Sequence, residues 1–241
     1  MMKKKLLYSV LILLLVSFVL AAYNAFNGNP VSKQLSQKAL EHYLADRYPE
    51  KNLRIDEGIY NFKFAEYTFE VTDIGDRERS DPYLFSLKGF VKPEVSADRI
   101  YEENLNGPLM ERLGSEAGKE IKTFLSKSIN SVADVDVYLE VLKGKIEDDV
   151  KWEKNINLEG PMQIHILLDA ANADRESVYN TSKKIQRLLN KEGYDYEYVS
   201  INANIFDGED VKDEDIGYVK YSTSFEKHTD IKLRDVEEEN Q

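Results

Sequence analysis

The chain has no cysteine among its 241 residues, only three histidines, and 32 basic side chains against 44 acidic ones. Without cysteine there is no disulfide framework and no lipid-modified cysteine to serve as an anchor. His42, His165 and His228 are far apart and lack the i, i+4 spacing by which ligands share a helix face, so no metal site and no cofactor is expected. The formal charge of −12 excludes the basic surface that nucleic acid binding needs, and it disfavours close docking on anionic lipid. What remains abundant is apolar and aromatic material, 42% and 11% of the residues, enough for a packed core.

The longest apolar run opens the chain. Lys3, Lys4 and Lys5 precede an uncharged stretch from Leu6 to Ser32 whose apolar core, Leu6 to Ala22, approaches the roughly 30 Å of a hydrocarbon layer at about 1.5 Å per helical residue. The lysines favour the cytoplasmic side, so the rest of the chain is expected outside a cell membrane, as a single-pass extracytoplasmic domain. A secretory signal has the same layout, and Val19-Leu20-Ala21 offers a cleavage site. The length of the run, with Tyr23 and Phe26 at an interfacial position, points to a retained anchor. Removing the three lysines from the 32 basic side chains leaves 29 against 44 acidic ones, so the exported part carries −15.

Beyond the span, Asn29 can cap and Pro30 can begin a helix in which Val31, Leu35, Ala39, Leu40, Tyr43 and Leu44 form an apolar stripe. Alternation follows: Tyr60, Phe62 and Phe64 on one strand face, then Tyr67, Phe69 and Val71, then Tyr83, Phe85 and Leu87. Residues 29–92 thus read as one helix packed on a three-stranded meander. Pro93 and its charged neighbours mark a boundary. In residues 93–241, Leu109 to Leu125 recur at helical spacing, strands are expected at "DVDVYLEVL" and "MQIHILLDA", and a helix capped by Asp174 runs to Gly193 before two further strands. The fold class is α+β: a transmembrane helix (1–28), then a helix-on-antiparallel-sheet ectodomain in two subdomains (29–92 and 93–241), with an acidic tail.

No catalytic constellation assembles. "GSEAG" at 114–118 superficially suggests a nucleophile elbow, but Ser115 lies within a helical pattern, and two glycines four apart suit close helix packing. His165 is expected to be held within the sheet by its own hydrogen bonds. The acidic stretch at 207–215 departs from the calcium-loop pattern and reads as a solvated hairpin loop, with weak cation binding as the alternative. Tyr194, Tyr196 and Tyr198 alternate with Asp195 and Glu197, which puts three phenols on one strand face. That face is the candidate binding surface; alternatively, the rings pack beneath a helix with their hydroxyls at the rim.

Asn29-Pro30, Lys33, Lys38, Tyr43-Leu44, Tyr48-Pro49, Tyr60 and Phe62, placed after a lysine-led span, resemble the YfjL-like group of membrane-anchored proteins of Gram-positive bacteria. The resemblance covers the first third of the chain. It implies an exported, anchored α+β domain and carries no catalytic residue over.

Strong topology without assembled chemistry points to a non-enzymatic envelope protein. Its partners would be the membrane, through the N-terminal helix, and an envelope protein or glycan. Two alternatives stay open: a module that regulates or inhibits an exocytoplasmic protease through an open sheet edge, and a hydrolase using dispersed carboxylates.

Overall fold

The computed structural model describes residues 2–76, 78–206 and 217–239. The chain divides into two compact units, Met1–Glu103 and Asn104–Gln241.

The first unit begins with α1 (Met2–Asn27), whose large apolar side chains from Leu6 to Phe26 are exposed. A helix apolar all round and covered by nothing is unfavourable in water; by length and composition α1 can cross a membrane, as can a signal sequence. Gly28, at φ +74°, ends it, and a Cβ there would run into the Tyr60 side chain and the Tyr67 hydroxyl. Asn29 then caps α2 (Pro30–Arg47) by accepting a hydrogen bond from the Val31 amide at 2.8 Å, with Pro30 in the first turn. The apolar stripe expected of α2 is only half realised. Leu40 and Leu44 are buried, but the stripe continues towards the N-terminus through Ser32 and Ser36, while Val31 and Leu35 are exposed. The Tyr67 hydroxyl, which donates to the Asn29 carbonyl at 2.8 Å and lies 3.1 Å from Ser32 Oγ, occupies the space that a larger side chain would need.

Four antiparallel strands follow in spatial order β1 (Leu53–Asn61), β2 (Glu66–Asp73), β3 (Tyr83–Lys88) and β4 (Glu94–Asp98). Tyr67, Phe69 and Val71 share the covered face with Tyr83, Phe85 and Leu87, as their alternation requires, and pack with Leu40, Leu44 and Ile100. The face expected from Tyr60, Phe62 and Phe64 does not form. β1 ends at Asn61, and the chain turns back through residues 62–65, with Ala65 in the left-handed region at φ 51°, leaving Phe62 and Phe64 exposed.

The boundary read at Pro93 moves to 103/104, because β4 adds a fourth strand to the meander and α3 (Arg99–Glu103) follows it directly. Asp98 ties these pieces together. Its carboxylate accepts from the hydroxyls of Tyr43 at 2.7 Å and Tyr48 at 2.6 Å, and from the Tyr101 amide at 3.0 Å.

In the second unit α4 (Gly107–Ser126) precedes a five-stranded sheet ordered β5 (Val132–Tyr138), β6 (Met162–Asp169), β7 (Tyr196–Ile205), β8 (Tyr218–Glu226) and β9 (Glu237–Glu238). The sheet is mixed rather than purely antiparallel. β6 and β7 run parallel because α5 (Arg175–Glu192) crosses between them. α5 begins at Asp174, which accepts from the Ser177 amide at 2.8 Å, and stops at Gly193, left-handed at φ 82°. One sheet face, including Ile164, Ile166, Val199 and Ile201, is buried with Leu113 and Ile121 of α4 and Ile185 and Leu189 of α5.

The glycine pair of "GSEAG" brings α4 against β5. A Cβ on Gly114 or Gly118 would run into the carbonyl oxygen of Val137 or Val135. The edge strand β5 is therefore covered by α4. At the other edge β9 is two residues long, and in the first sheet the edge strand β1 is broken by a bulge between Ile55 and Gly58.

Candidate functional site

The three tyrosines chosen from the sequence do not share a face. Tyr194 and Tyr196 are each 2% exposed, within the core between sheet and helices. The Tyr194 hydroxyl donates to Glu120 Oε1 at 2.7 Å, beside the Trp152 indole, which donates to Glu120 Oε2 at 3.1 Å. The Tyr196 hydroxyl donates to Asn190 Oδ1 at 2.7 Å. Burial, and then the adjacent Glu120 carboxylate, hold the Tyr194 phenol above its ordinary range, while burial pushes Tyr196 up to about 12. These two rings pack within the core, with their hydroxyls bonded to side chains of α4 and α5.

Tyr198 lies on the opposite face because of one irregularity. Met162 pairs with Tyr196 but Gln163 pairs with Tyr198, so Glu197 is an extra residue and the alternation changes phase. Tyr198 thereby joins a face that none of the helices of this unit covers. Across four strands, Tyr138, Gln163, Tyr198 and Glu226 stand in one row, and Asp136, His165, Ser200 and Ser224 in the next. Tyr138 is 47% and Tyr198 36% exposed. The Tyr198 hydroxyl donates to Gln163 Oε1 at 2.9 Å and the Gln163 amide donates to Glu197 at 3.2 Å. Aromatic rings are thus fixed among amide and carboxylate groups on a flat surface.

The second row places an aspartate, a histidine and a serine side by side, with His165 Nδ1 2.9 Å from Ser200 Oγ. The likeness to a hydrolytic triad ends there. Ser200 is mid-strand between two paired neighbours, so the backbone amides that could hold an oxyanion are already in the ladder. His165 is half-buried and bonded within the sheet, as expected, while His42 and His228 are exposed.

A hydrolytic acid would need a carboxyl held above its ordinary range. Among the described residues the displaced carboxyls go the other way: Asp73 is lowered by its hydrogen bond from Lys51, and Glu103 by its hydrogen bonds from Arg79. Among the described residues no three histidine or acidic side chains converge on a metal position. The acidic stretch at 207–215 lies outside the described residues. The first unit has a cleft of about 610 Å³ between α2 and β1, with Glu41, Lys51 and Arg54 among its lining, which mixes charges without pairing two carboxylates.

The open-face rows were missed from the sequence because each takes one residue from each of four strands. A weak signal existed in the polar residues alternating with Ile164, Ile166, Val199 and Ile201.

Comparison with known proteins covers nearly the whole chain. The YfjL-like N-terminal domain matches residues 3–99 and the YfjL-like C-terminal domain residues 116–237. "Uncharacterized protein YfjL" of Bacillus subtilis (strain 168) is 33% identical over 235 residues, 98% of each chain. The crystal structure of a DUF5037 family protein from Ruminococcus gnavus ATCC 29149 aligns over 78% of this chain and 88% of that one, at 12% identity and a TM-score of 0.22, too low to establish a shared fold. With both domains present in order and the match to the Bacillus protein running almost end to end, the chain belongs to the YfjL-like family.

Proposed function

We propose that this protein is a membrane-anchored, extracytoplasmic binding module with no reaction of its own, and that the open face of the second sheet recognises a component of the cell envelope. The observation that carries this reading is the row Tyr138, Gln163, Tyr198 and Glu226: two exposed phenols held beside an amide and carboxylates on a surface that the unit's helices leave uncovered. Rings offer flat apolar area at small entropic cost, and the amide and acid groups supply directional hydrogen bonds, a combination that suits a sugar chain or a polar protein surface.

The test is binding of the full-length protein to purified cell-wall glycan and to envelope proteins, with and without the paired substitutions Tyr138→Ala and Tyr198→Ala. Loss of two aromatic contacts is expected to weaken binding about tenfold or more, the size of a 1–2 kcal/mol anchor residue. The fold should survive, because neither ring belongs to the core. Unchanged binding by the folded double variant would remove this face from the proposal, and turnover of any glycan or peptide would remove its non-enzymatic part.

A further inference from the structure

Two turns at one end of the first sheet are apolar where turns are ordinarily polar. The β1–β2 turn carries Phe62, Lys63 and Phe64, and the β3–β4 turn carries Phe90, Val91 and Lys92. Both project from the same end: Asn61 pairs with Glu66, Glu66 with Lys88 and Lys88 with Glu94, forming one terminal row beneath the turns. Phe62, Phe64, Phe90 and Val91 are 52, 62, 61 and 78% exposed. A single exposed apolar residue needs no explanation, but four on two neighbouring turns mark a surface made to be covered.

The last turn of α1 arrives at the same place. The Phe26 ring centroid lies 5.8 Å from that of Phe62. A cavity of about 420 Å³ is lined by Asn24 and Ala25 of α1, by Ala65 of the first turn and by Gly89 and Phe90 of the second. Phe26 stands four residues past Ala22, or about 6 Å further along a helix axis. The interfacial layer of a bilayer is roughly 5–7 Å deep on each side. When the apolar core of α1 fills the hydrocarbon, Phe26 and the neighbouring turns are therefore level with the lipid headgroups.

The local charge fits the same surface. In a chain with a formal charge of −12, these turns and their terminal row carry Lys63, Lys88 and Lys92 against Glu66 and Glu94. Lys92 meets Glu94 at 3.4 Å in an exposed pair that exchanges readily for other partners, and Lys88, itself exposed, lies 3.8 Å from the half-buried Glu66. Aromatic rings flanked by lysines are the composition favoured at a membrane interface, where rings lie among headgroups and ammonium groups reach phosphates. The acidic average that disfavours docking of the whole domain on lipid does not describe this end.

We propose that the two turns dip into the outer interfacial layer of the bilayer that α1 crosses, seating the first unit on the lipid surface through Phe62, Phe64, Phe90 and Val91. The inference rests on reading α1 as a membrane anchor, and the experiment separates the two. Because the chain has no cysteine, a single one can be introduced cleanly. Full-length protein in lipid nanodiscs would carry an environment-sensitive fluorophore at Phe64→Cys or Phe90→Cys, at Leu13→Cys within α1, or at Ile74→Cys in the turn at the far end of the sheet. The labels at 64 and 90 are expected to shift to the blue and to lose emission to lipids bearing a shallow nitroxide. The label at 13 should respond to a deep nitroxide and the label at 74 to neither. A lipid-buried label at 13 with labels at 64 and 90 as aqueous as that at 74 would overturn the docking and leave the anchor standing. An aqueous label at 13 would overturn both. A blue shift at 64 and 90 without lipid quenching would place these turns against protein and overturn the lipid as their occupant.

Discussion

Single residues in this protein make its stability depend on pH. Tyr43, Tyr48 and Tyr194 are held above the ordinary phenol value of 10.0 first by burial and then by an acceptor carboxylate, Asp98 for the first two and Glu120 for the third. Tyr196 is pushed up to about 12 by burial. Well below pH 10 the phenols are neutral in both folded and unfolded chains, so their contribution to stability is complete there. Above it the unfolded chain releases protons that the folded chain retains, and stability falls as pH rises towards about 12. Urea unfolding midpoints measured near neutral pH and at about pH 11 should show this loss, and Tyr196→Phe should make the decline shallower. An unchanged slope in that variant would mean that its phenol titrates freely. On the acid side the sign reverses. The depressed Asp73 and Glu103 stabilise the fold above the ordinary carboxylate range and lose that contribution as pH falls through their folded values.

Elements meet here through small residues. In α2 the buried stripe runs from Ser32 and Ser36 to Leu40 and Leu44, and in α4 Gly114 and Gly118 let the helix lie against the carbonyl row of β5. In a helix interior alanine ordinarily exceeds glycine by about 1 kcal/mol. At Gly118 the preference should invert, because the added Cβ lands on the Val135 carbonyl oxygen, a strand backbone atom that cannot swing aside. Gly118→Ala is expected to destabilise the second unit by about 1–3 kcal/mol. Gly107→Ala, at the start of the same helix with no atom within 4 Å of the new Cβ, should change stability by less than about 0.5 kcal/mol. Trp152 is the single tryptophan and its indole bonds to Glu120 on α4, so its fluorescence reports the unfolding of this contact directly. Equal effects at the two positions would show that α4 does not depend on a close approach.

At the scale of the whole molecule, one apolar helix opens the first of two units, each of which buries its own core. On the proposed topology the lysines at the start remain in the cytoplasm, and the rest of the first unit beyond α1 stands outside with the second. Protease added to intact protoplasts should then digest the units and leave a short membrane-embedded fragment, and the full-length chain should stay in the membrane pellet through a carbonate wash. Mature protein beginning near Ala22 and free in the medium would identify α1 as a cleaved signal instead. The acidic surface serves solubility in this arrangement, with the lysine-flanked turns as the local exception.

What the sequence by itself determined is what depends on neighbours a few residues away. Asn29-Pro30, Asp174 and Gly193 bound their helices because a cap bonds within one turn. The alternation of Tyr67, Phe69 and Val71 sets a covered face wherever the strand pairs, and the run from Leu6 to Ala22 is apolar enough for a bilayer whatever follows. Only the tertiary structure decided which strands stand side by side. It put Tyr198 beside Tyr138 and Gln163 and buried Tyr194 and Tyr196, because a single extra residue at Glu197 reverses the phase of β7 against β6. It also turned Phe62 and Phe64 out of a strand and set Phe62 beside Phe26, since β1 stops where its pairing with β2 stops. Register, phase and covering come from packing between segments tens of residues apart, and local periodicity does not encode which of its two faces another segment will cover.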